Sequence, residues 1–164
     1  MRIRIVVASQ AEASFYDLES RDAALQPAGH LSDPKAHLHD RDFKSDRPGR
    51  VFNSGPTGGH RRGATARHGT GGERSPRKHE AELFAHQIAD ALEQALHQGQ
   101  FERVVLMAAP GFLGLLREAL SNAVSSRVVA ESPKDLVKNP MSDVLAHVPP
   151  TAFRADFESA RELS

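Results

Sequence analysis

The chain has 164 residues, room for one core, and is 39% hydrophobic and 26% charged, too apolar for disorder throughout. The absence of Cys excludes disulfides, Cys-held zinc, iron–sulfur clusters and thiol nucleophiles, and with no Trp and one Tyr the chain is poor in rings for a stacking-rich recognition surface. The formal net charge is zero, yet residues 41–80 carry ten Lys/Arg against four Asp/Glu, an excess of +6 balanced by −2 over residues 1–40 and −4 over residues 81–164.

The opening MRIRIVVASQ alternates Arg with Ile as a strand does, with Ile3, Ile5 and Val7 on one face and Arg2 and Arg4 on the other. It lacks the apolar core of a signal peptide, and no apolar run approaches the roughly 20 residues a membrane span needs. The expected location is therefore cytoplasmic, without membrane insertion. After a polar break at residues 9–12, Ala13 to Leu18 resumes a strand carrying Phe15 and Tyr16, which predicts a hairpin. Leu25 to Leu31 is a third short strand, weakened by Pro27 and Gly29.

From about residue 32 to 75 the apolar residues larger than Ala thin to Leu38, Phe43, Val51 and Phe52, and eight of the twelve glycines fall between Gly49 and Gly72. The run GPTGGHRRGATARHGTGGERS has no period and buries too little to offset its ordering entropy. A mobile basic, Gly-rich loop is expected at about 54–74, and a loop of that length in a compact domain is usually functional or disordered.

Ser75 and Pro76 then supply a helix cap and first residue. Ala81, Phe84, Ile88, Ala91, Leu92 and Ala95 form one apolar stripe that Gly99 terminates. Val104 to Ala109 is a continuous apolar run, the pattern of a strand covered on both faces. Pro110-Gly111 opens a second helix with Phe112, Leu113, Leu116 and Leu120 inward, and Arg127 to Glu131 is a further strand. A short helix runs from Asn139-Pro140 to about His147, Pro149-Pro150 ends it, and a weakly helical tail follows from Thr151. The expected fold is a single α/β domain over 1–164 with a mixed sheet, an N-terminal hairpin followed by βαβ units.

Familiar chemical signatures are missing. The loop has no Gly-x-x-x-x-Gly-Lys-Ser/Thr, and the dinucleotide pattern begun at Gly69 and Gly71 fails at Arg74. His79-Glu80 is followed by Leu83 where a His-Glu-x-x-His zinc motif needs His, and there is no Gly-x-Ser-x-Gly elbow. His37, His39, Asp40, Asp42 and Asp46 lie close enough in sequence to consider Mg²⁺ and phosphoryl transfer, although Asp is also the commonest turn former. No cofactor or resident metal is expected, no catalytic residue is assigned, and nothing in the chain demands an enzyme. The sharper feature is Ser45 to Phe52, where Arg47 and Arg50 bracket Pro48-Gly49 and aim two guanidinium forks outward, suited to phosphate or carboxylate.

The strand IRIVVAS, the stretch DRDFKSDRPGRVFNSG, the helix HEAELFAHQIADALEQAL, and VVLMAAPGFLGLLREAL followed by VVAESPKDL resemble the bacterial family "protein required for attachment to host cells". The resemblance covers roughly residues 2–150, and Ser45-Asp46-Arg47-Pro48-Gly49-Arg50 is its most specific piece. That family is distantly similar to the middle domain of archaeal and eukaryotic peptide-release factors, which implies an RNase H-like fold. In those factors a Gly-Gly-Gln tip on a basic loop precedes a long helix. Here Gly71-Gly72-Glu73 stands in the corresponding place, and the carboxylate of Glu73 cannot offer the amide donor. Peptide release is therefore not expected.

The leading functional expectation is a non-catalytic domain that contacts RNA or the ribosome through Arg47, Arg50, Arg61, Arg62, Arg67, Gly71, Gly72, Glu73 and Arg74. The alternatives are a regulatory module binding an acidic protein partner, which would affect attachment indirectly, and a metal-dependent nuclease built on Asp40, Asp42 and Asp46.

Overall fold

The computed structural model describes residues 1–37 and 75–154. Five strands form one mixed sheet: β1 (Ile3–Ala8), β2 (Glu12–Leu18), β3 (Gln26–Ser32), β4 (Arg103–Met107) and β5 (Val128–Ser132), in the spatial order β3-β2-β1-β4-β5. β1 pairs antiparallel with β2, and β2 with β3. β1 also pairs parallel with β4, and β4 with β5. The helices are α1 (Pro76–His97), α2 (Pro110–Ala119), α3 (Asn122–Ser125) and α4 (Met141–Ala146), with 3-10 turns at Pro34–His37 and Pro150–Phe153.

Side-chain alternation sorts the core into two layers. Val6, Ala8, Phe15, Val104 and Leu106 face α1, α2 and α3, where they meet Phe84, Ile88, Leu92, Phe112 and Leu116. Ile3, Ile5, Val7, Leu18, Val105 and Met107 face the opposite way, onto Leu136, Val144 of α4 and Ala152 of the second 3-10 turn. Helices thus cover both faces of β1 and β4, which explains why every residue of these strands is buried. The mixed-sheet α/β architecture expected from the sequence is the observed one.

Helix α1 begins as its sequence dictates. The Ser75 hydroxyl accepts the Lys78 N–H at 3.1 Å, and Pro76 follows at the first helical position. The helix closes on Gly99, whose φ of +69° is left-handed and suits glycine at this stop. Its buried stripe is Ala81, Phe84, Ala85, Ile88, Ala89, Leu92 and Ala95, with Ala91 only half-buried. Phe84 stacks on Phe112 with ring centroids 6.2 Å apart, locking α1 to α2.

Two local features go beyond the sequence pattern. Arg4 lies on the face opposite Ile3, Ile5 and Val7, as expected, and is buried there: it is 5% exposed, directly opposite Asp17 in the β1–β2 register. Its Nε and Nη2 donate to the Asp17 carboxylate at 2.6 and 3.2 Å, so the ion pair allows the strand to be buried with its charge. β3 forms despite Pro27 and Gly29 because it is an edge strand, where a missing N–H is tolerated, and the register with β2 shifts between Phe15 and Tyr16. Gly29 adopts φ +155° beside that irregularity.

Candidate functional site

All nine residues expected to bind RNA or a partner (Arg47, Arg50, Arg61, Arg62, Arg67, Gly71, Gly72, Glu73 and Arg74) lie outside the described residues, as do Asp40, Asp42 and Asp46 and the Gly-rich stretch 54–74. The described chain resumes at Ser75, and its first turn continues the basic character with Arg77 and Lys78, both exposed.

These two side chains border a cleft of about 590 Å³ between the start of α1 and the face of α2. Gln10, just beyond β1, closes one side, while Gly111, Gly114, Leu115 and Glu118 line the α2 wall. A Cβ placed on Gly111 or Gly114 would meet nothing within 4 Å, so the wall is open. The site lies at the carboxyl ends of β1 and β4, where α1 and α2 both begin.

The electrostatics are one-sided at the helix starts. An α-helix presents partial positive charge and orphan N–H groups at its N-terminus, which acidic residues usually answer. Neither α1 nor α2 has an acidic residue in its first turn. Helix α2 enters from Ala109 through Pro110 without any side-chain cap. Helix α1 places Lys78 three residues after its Ser75 cap, where a capping box carries Glu or Gln. Glu118, in the last turn of α2, is the carboxylate among the residues that line the cleft.

A carboxyl pair lies where α1 meets the 3-10 turn after β3. Asp33 is buried, its N–H donates to the Ala11 carbonyl at 2.8 Å, and its Oδ1 accepts the Lys35 N–H at 3.0 Å. Its Oδ2 is buried without a hydrogen-bond donor. Glu80 answers it: burial first, then the Asp33 charge and a side-chain hydrogen bond to Asp33, push the Glu80 carboxyl above its ordinary value, against the pull of Lys35 and His79. Among the described residues no group of three His, Cys, Asp or Glu is placed to hold a metal ion. None of their helices is long and apolar enough to cross a membrane.

The sequence reading missed the cleft and the Asp33–Glu80 pair. The cleft was legible in part: a strand followed by Ala-Pro-Gly, with no Ser, Thr, Asp or Asn at the cap, marks a helix start without a side-chain acceptor. The carboxyl pair joins residues 47 positions apart and left no local signal.

The sequence pattern of the family described as "Protein required for attachment to host cells" matches residues 4–148, and the chain belongs to that family. No curated protein matches it. Among solved structures, an archaeal translation termination factor aligns with 99% of this chain and 39% of its own, at 9% identity and a TM-score of 0.49. A second structure, described only as an archaeal protein, aligns over 99% and 39% at 11% identity and a TM-score of 0.47. The chain spans 39% of the length of each.

Proposed function

Starting from membership in the host-attachment family, we propose that this domain is a non-catalytic module that holds an RNA phosphate backbone on a basic surface starting at the α1–α2 cleft. The observation that carries the reading is Lys78 at the third position of α1. A cation there opposes the helix dipole and displaces the Glu that would complete the cap, so it weakens its own helix. A bound phosphate removes that conflict, because it meets the dipole, the ammonium and the uncapped start of α2 together. Arg77 adds a second cation at the cleft, and Arg47, Arg50, Arg61, Arg62, Arg67 and Arg74 extend the charge along the sequence that precedes α1. No aromatic residue is interleaved from Gly55 to Lys78, so the surface offers phosphate contacts without base stacking.

Binding is therefore weakly sequence-specific and steeply salt-dependent. Fluorescence anisotropy with a labelled single-stranded oligoribonucleotide, titrated at several salt concentrations, measures the slope of log K against log salt. Changing both Arg77 and Lys78 to Ala should reduce the steepness by roughly 1.4, about 0.7 for each single-strand phosphate no longer neutralised. Arg2→Ala, at the opposite end of the sheet, should leave it unchanged. If the native protein binds neither RNA nor ribosomes at low salt, the proposal fails, and an acidic protein is then the partner to seek for the same cations.

A further inference from the structure

We infer that the groove between β3 and α1, at the end of the sheet away from the basic cleft, binds a small carboxylate with an apolar body, held by the unused edge of Arg4. The groove has a volume of about 250 Å³. For scale, an apolar protein cavity of about 150 Å³ accommodates benzene. Phe15, Leu31, Ala91 and Ala95 supply apolar lining, and the polar wall is Arg4, His30, Gln94, Gln98 and Gln100, with His30 Nδ1 paired to the Ser14 hydroxyl at 3.2 Å.

The polar wall is oriented by a chain of hydrogen bonds with one possible direction. Arg4 has donors only, so Gln100 must present Oε1 to its Nη2, as it does at 3.2 Å. The Gln100 amide N–H₂ then points to Gln98 Oε1 at 2.6 Å. Gln98 is thereby left with its own N–H₂ as the terminal group. Arg4 is the charged source of donors. Its Nε and Nη2 are committed to Asp17 and Gln100, and its guanidinium lies over the Phe101 ring at 5.4 Å. Nη1 has no hydrogen-bond partner among the described residues, and it is not sealed in the protein interior. Arg4 itself is 5% exposed and lines the groove, so Nη1 reaches solvent through it.

Donors from Arg4 and Gln98 above an apolar floor select an acceptor on an apolar body. A carboxylate fits better than an amide or alcohol. It offers acceptors only, and its charge is opposite to that of the guanidinium, whose planar fork matches carboxylate geometry. No carboxylate lines the groove, so a ligand meets the Arg4 guanidinium there, beside the His30 imidazole.

The test is amide-resolved NMR of the full chain titrated with benzoate, benzamide and acetate. Benzoate should move the amide signals of Gly29, Leu31, Ala91 and Ala95 with a dissociation constant in the millimolar range expected for so small a ligand. Benzamide, of the same shape without the charge, and acetate, with the charge but no body, should each bind several-fold more weakly. Ala91→Leu, at a half-buried position on the groove floor, should abolish the benzoate shifts while leaving the Arg4 hydrogen bonds in place. Gln98→Ala, at an exposed position that cannot unfold the core, should weaken them. Shifts of equal size with benzamide, shifts insensitive to both substitutions, or none at these residues would overturn the proposal.

Discussion

Asp17→Ala tests whether the charge in the middle of the sheet is held by its partner or by water. Asp17 lies directly across β1–β2 from Arg4 and accepts from Nε at 2.6 Å and Nη2 at 3.2 Å. The two side chains are 6% and 20% exposed, so removing the carboxylate leaves a guanidinium that solvent reaches only in part. Breaking a buried pair from one side typically costs about 3–5 kcal/mol. Here Arg4 would keep Gln100 Oε1 and the Phe101 ring, and water could replace Asp17 at its more exposed end. Those residual contacts place the expected loss near the bottom of the range, about 3 kcal/mol. Urea unfolding followed by circular dichroism measures it, with an unchanged m-value as the sign that the denatured state is unaltered. The double variant Arg4→Met, Asp17→Leu should recover most of the loss, because well-packed apolar groups can replace a buried pair at little cost. A loss below about 1 kcal/mol for Asp17→Ala would equate the pair with a surface salt bridge and refute the reasoning.

Phe84→Ala removes a fully buried ring that stacks on Phe112, and it should cost about 3–5 kcal/mol in the same unfolding assay. Glu80→Gln should raise stability at neutral pH. The Glu80 pKa is raised in the folded state, so the native protein binds the proton more tightly, and stability falls as pH rises from the unfolded value of 4.5 through the folded one. The variant should lose that decline, and a pH series of melting temperatures that still falls as steeply in this window would contradict the assignment. Lys78→Glu should stabilise the protein by about 0.5–1 kcal/mol by completing the capping box and meeting the helix dipole, while weakening RNA binding. A melting temperature that drops instead would show that Lys78 serves the fold.

The elements with strong periodicity were legible because their burial is uniform. α1 shows its stripe at three- and four-residue spacing, and its ends are set by Ser75-Pro76 and Gly99, residues whose roles are local. β4 shows a continuous apolar run because it is an interior strand, between β1 and β5, of a sheet covered on both faces. The face of Arg4 was legible but its burial was not, for the opposite reason. Alternation with Ile says which face a residue occupies, but the partner that makes burial tolerable sits 13 positions away on β2. The same holds for Asp33 and Glu80, whose coupling depends on the packing of α1 against the turn after β3. Pairings across the sheet and between layers are tertiary facts, and single-strand patterning carries no trace of them. The residues chosen from the sequence as the binding surface were chosen for charge and glycine content, signals that report solvation and partner class but not position.

The residues that bear the two proposed sites share a physical property: each sits where the fold alone would favour a different residue. A helix that begins with a serine cap is best served by Glu where Lys78 stands, and α2 would be better served by a hydroxyl or carboxylate where Ala109 stands. A central strand covered on both faces is best served by an aliphatic residue where Arg4 stands. The first two leave positive potential at one end of the sheet, and the third leaves a guanidinium edge open in a groove at the other. Both compromises point the same way, toward ligands that carry oxygen anions. They differ in scale: the cleft is continuous with a strongly basic segment and suits a polyanion, whereas the groove is small, apolar-floored and served by a single buried cation. Competition between the two ligands separates these roles. If benzoate at saturating concentration leaves RNA affinity unchanged at constant ionic strength, the sites act independently; a change beyond that of an equal concentration of acetate would show that sheet and helix α1 transmit binding from one end to the other.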